Sequence, residues 1–365
     1  MPLNTIPNTG LTSRGYPSDR LVTPIIINGD MSAAQRSTSE TGVTSGTYKT
    51  IDRFRIIISG AGTWTLTQSD TVPTGQGFYK SFKYDCTTAD ASLAAGDVLG
   101  MSQKIEGYVQ APIKKGTANA EKTTLSFWVR SNKTGTYICE LFDDQNTRQV
   151  SKSYTINSAD TWEKKVIVFP ADTVGANDFD NTQAMQVNWW LAAGSDYTSG
   201  TLSETWTAST NANRMVGQVN LADSTDNEWY CTGVQLEVGE FDSTTIPSFP
   251  FESFESNLRK CQRYFAKQSG DNATILSSGT FYTTNGWLGH LKYTTTMRTG
   301  PSLSTSGAFK VRNASGDSDA SSIQISGDAG LDSLSLQATA TGTSGDGGVF
   351  RTASSGGSLS LDAEL

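Results

Sequence analysis

With 365 residues, of which 36% are hydrophobic and only 18% charged, the chain can bury a large core across two or three domains, and its 35 glycines favour turn-rich β-structure over a helical enzyme. A net charge of −8 argues against a dedicated binder of nucleic acid or anionic membrane, either of which would need a basic face to neutralise phosphates. No apolar run approaches the roughly 20 residues that cross a bilayer, and residues 1–20 lack a basic start followed by an apolar stretch, so neither membrane insertion nor export by a standard signal is expected.

Residues 1–23, rich in Pro, Asn, Thr and Ser and without periodicity, read as an extended arm that a partner would order. The apolar run 24–27 ahead of Asn28-Gly29 predicts a first strand and a sharp turn. Residues 51–58 predict a second strand, and 62–70 a third with Trp64 and Leu66 on one face. Strands are expected again over 77–86 and 104–111. In 123–131, Leu125, Phe127 and Val129 alternate with Ser126, Trp128 and Arg130, so one face is core and the other is free for another role. Further strands over 136–143, 149–156, 161–170, 186–194 and 228–239 complete the pattern of a β-sandwich spanning 24–250. Between the last two lies a polar loop, 195–213, carrying Trp206; such loops hold binding residues on a rigid scaffold.

The segment 251–268 interrupts this grammar. Phe251, Phe254, Leu258, Cys261 and Phe265 recur at spacings of three and four, the stripe of an amphipathic helix. Glu252 and Glu255 lead it while Arg259, Lys260, Arg263 and Lys267 trail it, which suits the helix dipole. It is expected to link two β domains, with Phe254, Leu258, Cys261 and Phe265 either packed on the chain's own sandwich or forming a three-stranded seam between subunits. Beyond it, 269–365 reads as a smaller β domain of short strands joined by Gly, Ser and Asp, with a thin core.

Catalytic chemistry has few places to reside. His290 is the sole histidine, so any triad or histidine-based metal mechanism must run through it, and it has no acidic neighbour in sequence. The acid pairs Asp143/Asp144, Asp178/Asp180 and Glu237/Glu240 read as solvated turn formers, since only their separation in space would make a glycosidase pair. Asp317, Asp319 and Asp328 lack the spacing of a Ca²⁺ loop. Cys86, Cys139, Cys231 and Cys261 are scattered without CxxC spacing and are expected as buried thiols. No cofactor, no metal and no enzymatic activity are expected.

Eight tryptophans in a polar β protein raise the question of glycan stacking, in which a sugar's C–H face lies on a ring. Trp128 and Trp190 fall out of phase with their apolar neighbours and are expected to share the second face of the sandwich, while Trp206 lies in the long loop. These three either contact glycan or pack under loops and against a sister subunit. Trp64, Trp162, Trp189 and Trp229 are expected in the core.

Several stretches in this order, IINGDMSAAQR, TLSFWVRSNKTGTY, TWEKKVIVFP, VNWWLAAGS, a QLE…CQRYF run, MRTGPSL and the terminal LDAEL, resemble bacteriophage virion appendage proteins. That family comprises the tail-fibre, head-fibre and decoration proteins of marine and cyanobacterial phages. The resemblance implies an all-β chain, a jelly-roll sandwich related to carbohydrate-binding modules, a linking helix and a distal β domain. It further implies a homotrimeric virion structural protein, docked to other capsid, neck or tail proteins through residues 1–23, with host-surface polysaccharide as an outer partner. The alternative class is a polysaccharide-degrading tail-spike-like enzyme.

Overall fold

A strand whose alternate residues are apolar must bury one face, and the first part of the chain solves this by stacking two sheets. The computed structural model describes residues 24–365, so the expected arm over 1–23 lies outside the described residues. Two units divide the chain, one ending at Ser253 and the other spanning Phe254–Leu365.

In the first unit the strands are β1 (Ser39–Val43), β2 (Arg55–Ser59), β3 (Thr63–Ser69), β4 (Ser81–Thr88), β5 (Val98–Glu106) and β6 (Thr123–Ser131). They continue with β7 (Gly135–Asp143), β8 (Arg148–Ile156), β9 (Glu163–Phe169), β10 (Gln183–Ala193), β11 (Thr207–Ala208) and β12 (Glu228–Val238). One six-stranded sheet runs β1-β3-β4-β12-β6-β9 and the other β11-β8-β7-β10-β5-β2. The chain passes repeatedly from one sheet to the other, the jelly-roll arrangement. Between the sheets lie Trp64, Tyr84, Phe127, Trp229 and Cys231 from the first, and Met101, Tyr137, Cys139, Tyr154 and Trp189 from the second. Along β12 the inward residues change phase, from Trp229 and Cys231 to Val234 and Leu236. Gly233 absorbs the extra residue with φ +64°, where a side chain would also meet the Phe78 ring.

Three expectations for this unit need correction. The run Ile25 to Ile27 is buried but forms no strand; the Gln103 side chain takes the place of one, accepting from the Ile27 N–H at 2.8 Å and donating to its carbonyl at 2.9 Å. Residues 51–54 form a turn, and pairing begins only at Arg55. The strand expected over 104–111 stops at Glu106 and gives way to a helical turn, Gly107–Gln110, at a position where a Cβ on Gly107 would lie 2.0 Å from the Asp178 carbonyl.

The helix expected over 251–268 is shorter, Phe254–Gln262, and belongs to the second unit. Phe265 is not on its stripe but opens a strand, β13 (Phe265–Gly270), and is buried there. The rest of this unit comprises β14 (Ile275–Phe281), β15 (Gly286–Lys292), β16 (Ser302–Ser306), β17 (Phe309–Asn313), β18 (Gly316–Ile325), β19 (Ser333–Thr339), β20 (Gly347–Thr352) and β21 (Gly357–Asp362). Strands β13-β21-β16 form a small sheet, and β14-β15-β19-β18-β17-β20 close a barrel. Its core is fuller than the sequence suggests: Trp287, Phe350 and Phe309 stack in series, with ring centroids 5.6 and 5.1 Å apart. Three stretches that carried the family resemblance meet here. Arg298, from MRTGPSL, donates to the carbonyls of Ala363 and Glu364 in LDAEL, while its N–H donates to the carbonyl of Arg263 in CQRYF.

Candidate functional site

The outer face of the first sheet carries an aromatic strip that the core does not explain. From β12 comes Tyr230, from β6 Trp128 and Arg130, from β9 and its leading edge Lys164 and Trp162, and from β4 Lys83 and Asp85. Register brings them together: Tyr230 pairs with Arg130 on one side and Lys83 on the other, and Trp128 pairs with Lys164. Cross-strand partners on one face stand close enough for their side chains to touch.

Most of this strip is held rigidly. Lys83 lies 2.5 Å from Glu228 and 3.2 Å from Asp85, with its ammonium 5.6 Å from the centre of the Tyr230 ring. The Tyr230 hydroxyl donates to Glu228 at 2.7 Å. Arg130 covers the other side of that ring at 4.9 Å and reaches Asp160 at 2.8 Å. Trp162 meets Tyr230 edge to face at 6.2 Å. Burial alone would raise the Glu228 carboxyl, but the hydrogen bonds from Lys83 and Tyr230 hold it below the ordinary carboxylate range. Trp128 and Trp162 are half-buried, so each lies against the sheet yet keeps ring surface open. Aromatic rings fixed on strands beside charged groups can stack on the C–H face of a sugar while polar neighbours bind its hydroxyls.

The second sheet's outer face is closed. Trp190 is only 3% exposed, packed with Val98, Ile138 and Met215. Its ring packs against Gly100, where an added Cβ would stand 2.9 Å from it. Residues 195–220 cover this face and pin themselves to it through Arg214, whose guanidinium donates twice, at 2.8 Å each, to the fully buried carboxylate of Glu140. Asn188 and the Trp190 indole also donate to Glu140, and the Arg214 guanidinium lies over the Phe142 and Trp190 rings.

Trp206 is a packing residue. Its indole N–H donates to the Pro170 carbonyl, and the Lys115 ammonium lies 5.1 Å from its ring centre. Lys115 is itself buried, bonded to Asp143 and 3.0 Å from Asp172, which Arg148 also clasps. The cavity beside this group encloses about 10 Å³, room for roughly one water and far too little for a sugar. Burial would raise the Asp172 carboxyl, but Arg148 and Lys115 hold it lower than usual. A depressed carboxyl lends stability above its unfolded pKa and loses it as pH falls through the folded value. Chemical denaturation should therefore give nearly constant stability from neutral pH to about 5 and a decline below about 4, steeper in wild type than in Arg148→Met.

The three tryptophans singled out from sequence are thus not brought together. Trp128 and Trp190 lie on outer faces of different sheets rather than sharing one; Trp190 is closed over, and Trp206, half-buried like Trp128, packs against the core of the first unit. Trp162, expected in the core, belongs beside Trp128 instead. The signal was available: Trp162 is out of phase with Ile167 and Phe169, the inward residues of β9. Arg130 was seen as an outward residue beside Trp128, but Tyr230 and Lys83 were missed because they become its neighbours only through non-consecutive pairing. Of the helix stripe, Cys261 and Phe265 are buried, Leu258 is half-buried and Phe254 is 58% exposed, so the four do not form one open seam.

Elsewhere, His290 is exposed on β15 between Ser278 and Ser335. Asp143 is locked to Lys115, Glu240 pairs with Lys122 at 2.5 Å, and Asp317 is engaged by Arg351. Among the described residues no group of His, Cys, Asp and Glu is arranged to hold a metal ion. Another exposed aromatic pair, Tyr108 and Phe179, meets edge to face at 78°, so its rings form no common platform.

No family model and no curated protein matches this chain. Among solved structures it is similar to the enzymatically active domain of bacteriophage CBA120 tailspike protein 4, with 14% identity over 59% of this chain and a TM-score of 0.29. That match spans 21% of the tailspike chain. A putative sugar binding protein from Bacteroides thetaiotaomicron is 12% identical over 59% of this chain and 100% of its own, with a TM-score of 0.32. A family 11 carbohydrate-binding module from Clostridium thermocellum is 10% identical over 56% and 99% of the two chains, with a TM-score of 0.28.

Proposed function

We propose that the chain is a non-catalytic structural component of a phage particle that contacts host-surface glycan through the outer face of its first sheet. The observation that carries the glycan contact is the half-open pair of indoles, Trp128 and Trp162, standing beside a Tyr230 ring fixed between two cations. Such a face is built before any ligand arrives, so little conformational freedom is lost on binding. The virion role is supported by the QLE…CQRYF, MRTGPSL and LDAEL stretches. Residues of CQRYF, MRTGPSL and LDAEL also meet within the second unit, where Arg298 joins the carbonyls of Arg263, Ala363 and Glu364.

Titration of the purified chain with host-surface polysaccharide tests the contact. Trp128→Ala is expected to weaken binding about tenfold, the scale of one lost aromatic stacking contact. Unchanged affinity in a folded variant removes the proposed site. Antibody labelling of intact particles tests the virion role, and an absence of label on capsid and tail alike would reject it. We further propose a homotrimer, with Phe254 and Leu258 as the part of the helix left to meet a neighbour. Light scattering should then give three times the 39.1-kDa chain mass, and a single-chain mass would refute the trimer.

A further inference from the structure

We infer that the glycan taken by this face is anionic, carrying a carboxylate or sulfate whose counter-charge is Lys164; the inference rests on the glycan reading above. Lys164 stands directly across from Trp128 in the β6–β9 pairing and two residues beyond Trp162 on the same strand face. Arg130 occupies the remaining corner, so two indoles and two cations alternate over neighbouring positions. A ring beside an ammonium offers stacking for the sugar's C–H face and charge for its acidic substituent.

The two cations differ in one respect. Arg130 is satisfied by Asp160, and Lys83, next along the strip, is satisfied by Asp85 and Glu228. Lys164 is exposed, and none of the described carboxylates stands within ion-pairing distance of it. Partial desolvation where its stem lies along the sheet pulls its ammonium below the ordinary lysine range, with no acid nearby to restore it. An anion docked on Trp128 would supply that missing partner. In a chain of net charge −8, an unpaired cation at this position selects for charge that the remaining surface repels. The competing role for Lys164 is to guard the edge strand β9 against pairing with another chain.

Isothermal titration with matched polymers separates these roles: polygalacturonate against its fully methyl-esterified form, and dextran sulfate against dextran. Wild type is expected to prefer the charged member of at least one pair by about fivefold, the upper end for one exposed ion pair, with the preference shrinking as salt is raised. Lys164→Gln should abolish that preference while leaving affinity for the neutral member unchanged, and Lys164→Arg should retain it. Trp128→Ala should lower affinity for both members. Equal binding of charged and neutral polymers by wild type overturns the anionic reading and leaves glycan binding standing. A preference that survives in Lys164→Gln also overturns it and leaves Lys164 as an edge guard. Failure to bind any of the four polymers, or the host polysaccharide, removes both readings.

Discussion

Replacing Arg214 by alanine is expected to cost the sandwich about 3–5 kcal/mol, because it strands the Glu140 carboxylate in the interior without its charge partner. Glu140 has no solvent exposure, and its remaining donors, Asn188 and the Trp190 indole, are neutral. The same change uncovers the Phe142 and Trp190 rings on which the guanidinium lies. Denaturant unfolding of Arg214→Ala, Glu140→Gln and the double variant would separate the terms. The double variant should be less impaired than Arg214→Ala alone, since the buried charge is then gone. Equal loss in both would mean that the rings, not the ion pair, hold residues 195–220 in place.

A loss of similar size, about 3–5 kcal/mol, is expected for Lys115→Met, which fits the volume but removes the ammonium between Asp143 and Asp172. Asp172 keeps Arg148, whereas Asp143 keeps only the side chains of Asn146 and Asn177 and the Asn146 N–H. The uncompensated charge therefore falls on Asp143, which has no solvent exposure. Denaturant unfolding should therefore show Lys115→Met/Asp143→Asn less impaired than Lys115→Met alone, since the stranded buried charge is then gone. Equal loss in the two variants would place the deficit in packing against Trp206 instead.

Strand positions were legible where one face is buried and the other open. In β6 the alternation of Leu125, Phe127 and Val129 with Ser126, Trp128 and Arg130 gave both the strand and its inward set, whereas for β7, β8 and β12 only the strand itself was legible. What failed were features decided at long range. Trp190 has the same out-of-phase position as Trp128, but only folding reveals that Arg214 and Met215 arrive over it. Ile25 to Ile27 look like a strand, and the amide of Gln103, far along the chain, removes the need for one. Phe265 keeps the helical spacing by coincidence; its pairing with Asp362 in β21 outweighs it. Trp162 was misplaced for a local reason, since it precedes β9 and its phase shows only when counted back from Phe169. The aromatic strip was half legible: Trp128 and Arg130 were visible as outward residues, but Tyr230, Lys83, Trp162 and Lys164 come from strands distant in sequence.

Carbene footprinting of the chain with and without host-surface polysaccharide tests the glycan face most directly, because it reports every exposed side chain at once. Labelling should fall at Trp128, Trp162 and Lys164 while Tyr108, at 46% exposure, and Phe179, at 68%, stay fully reactive. Protection confined to Tyr108 and Phe179, or no protection anywhere on the first sheet, would contradict it.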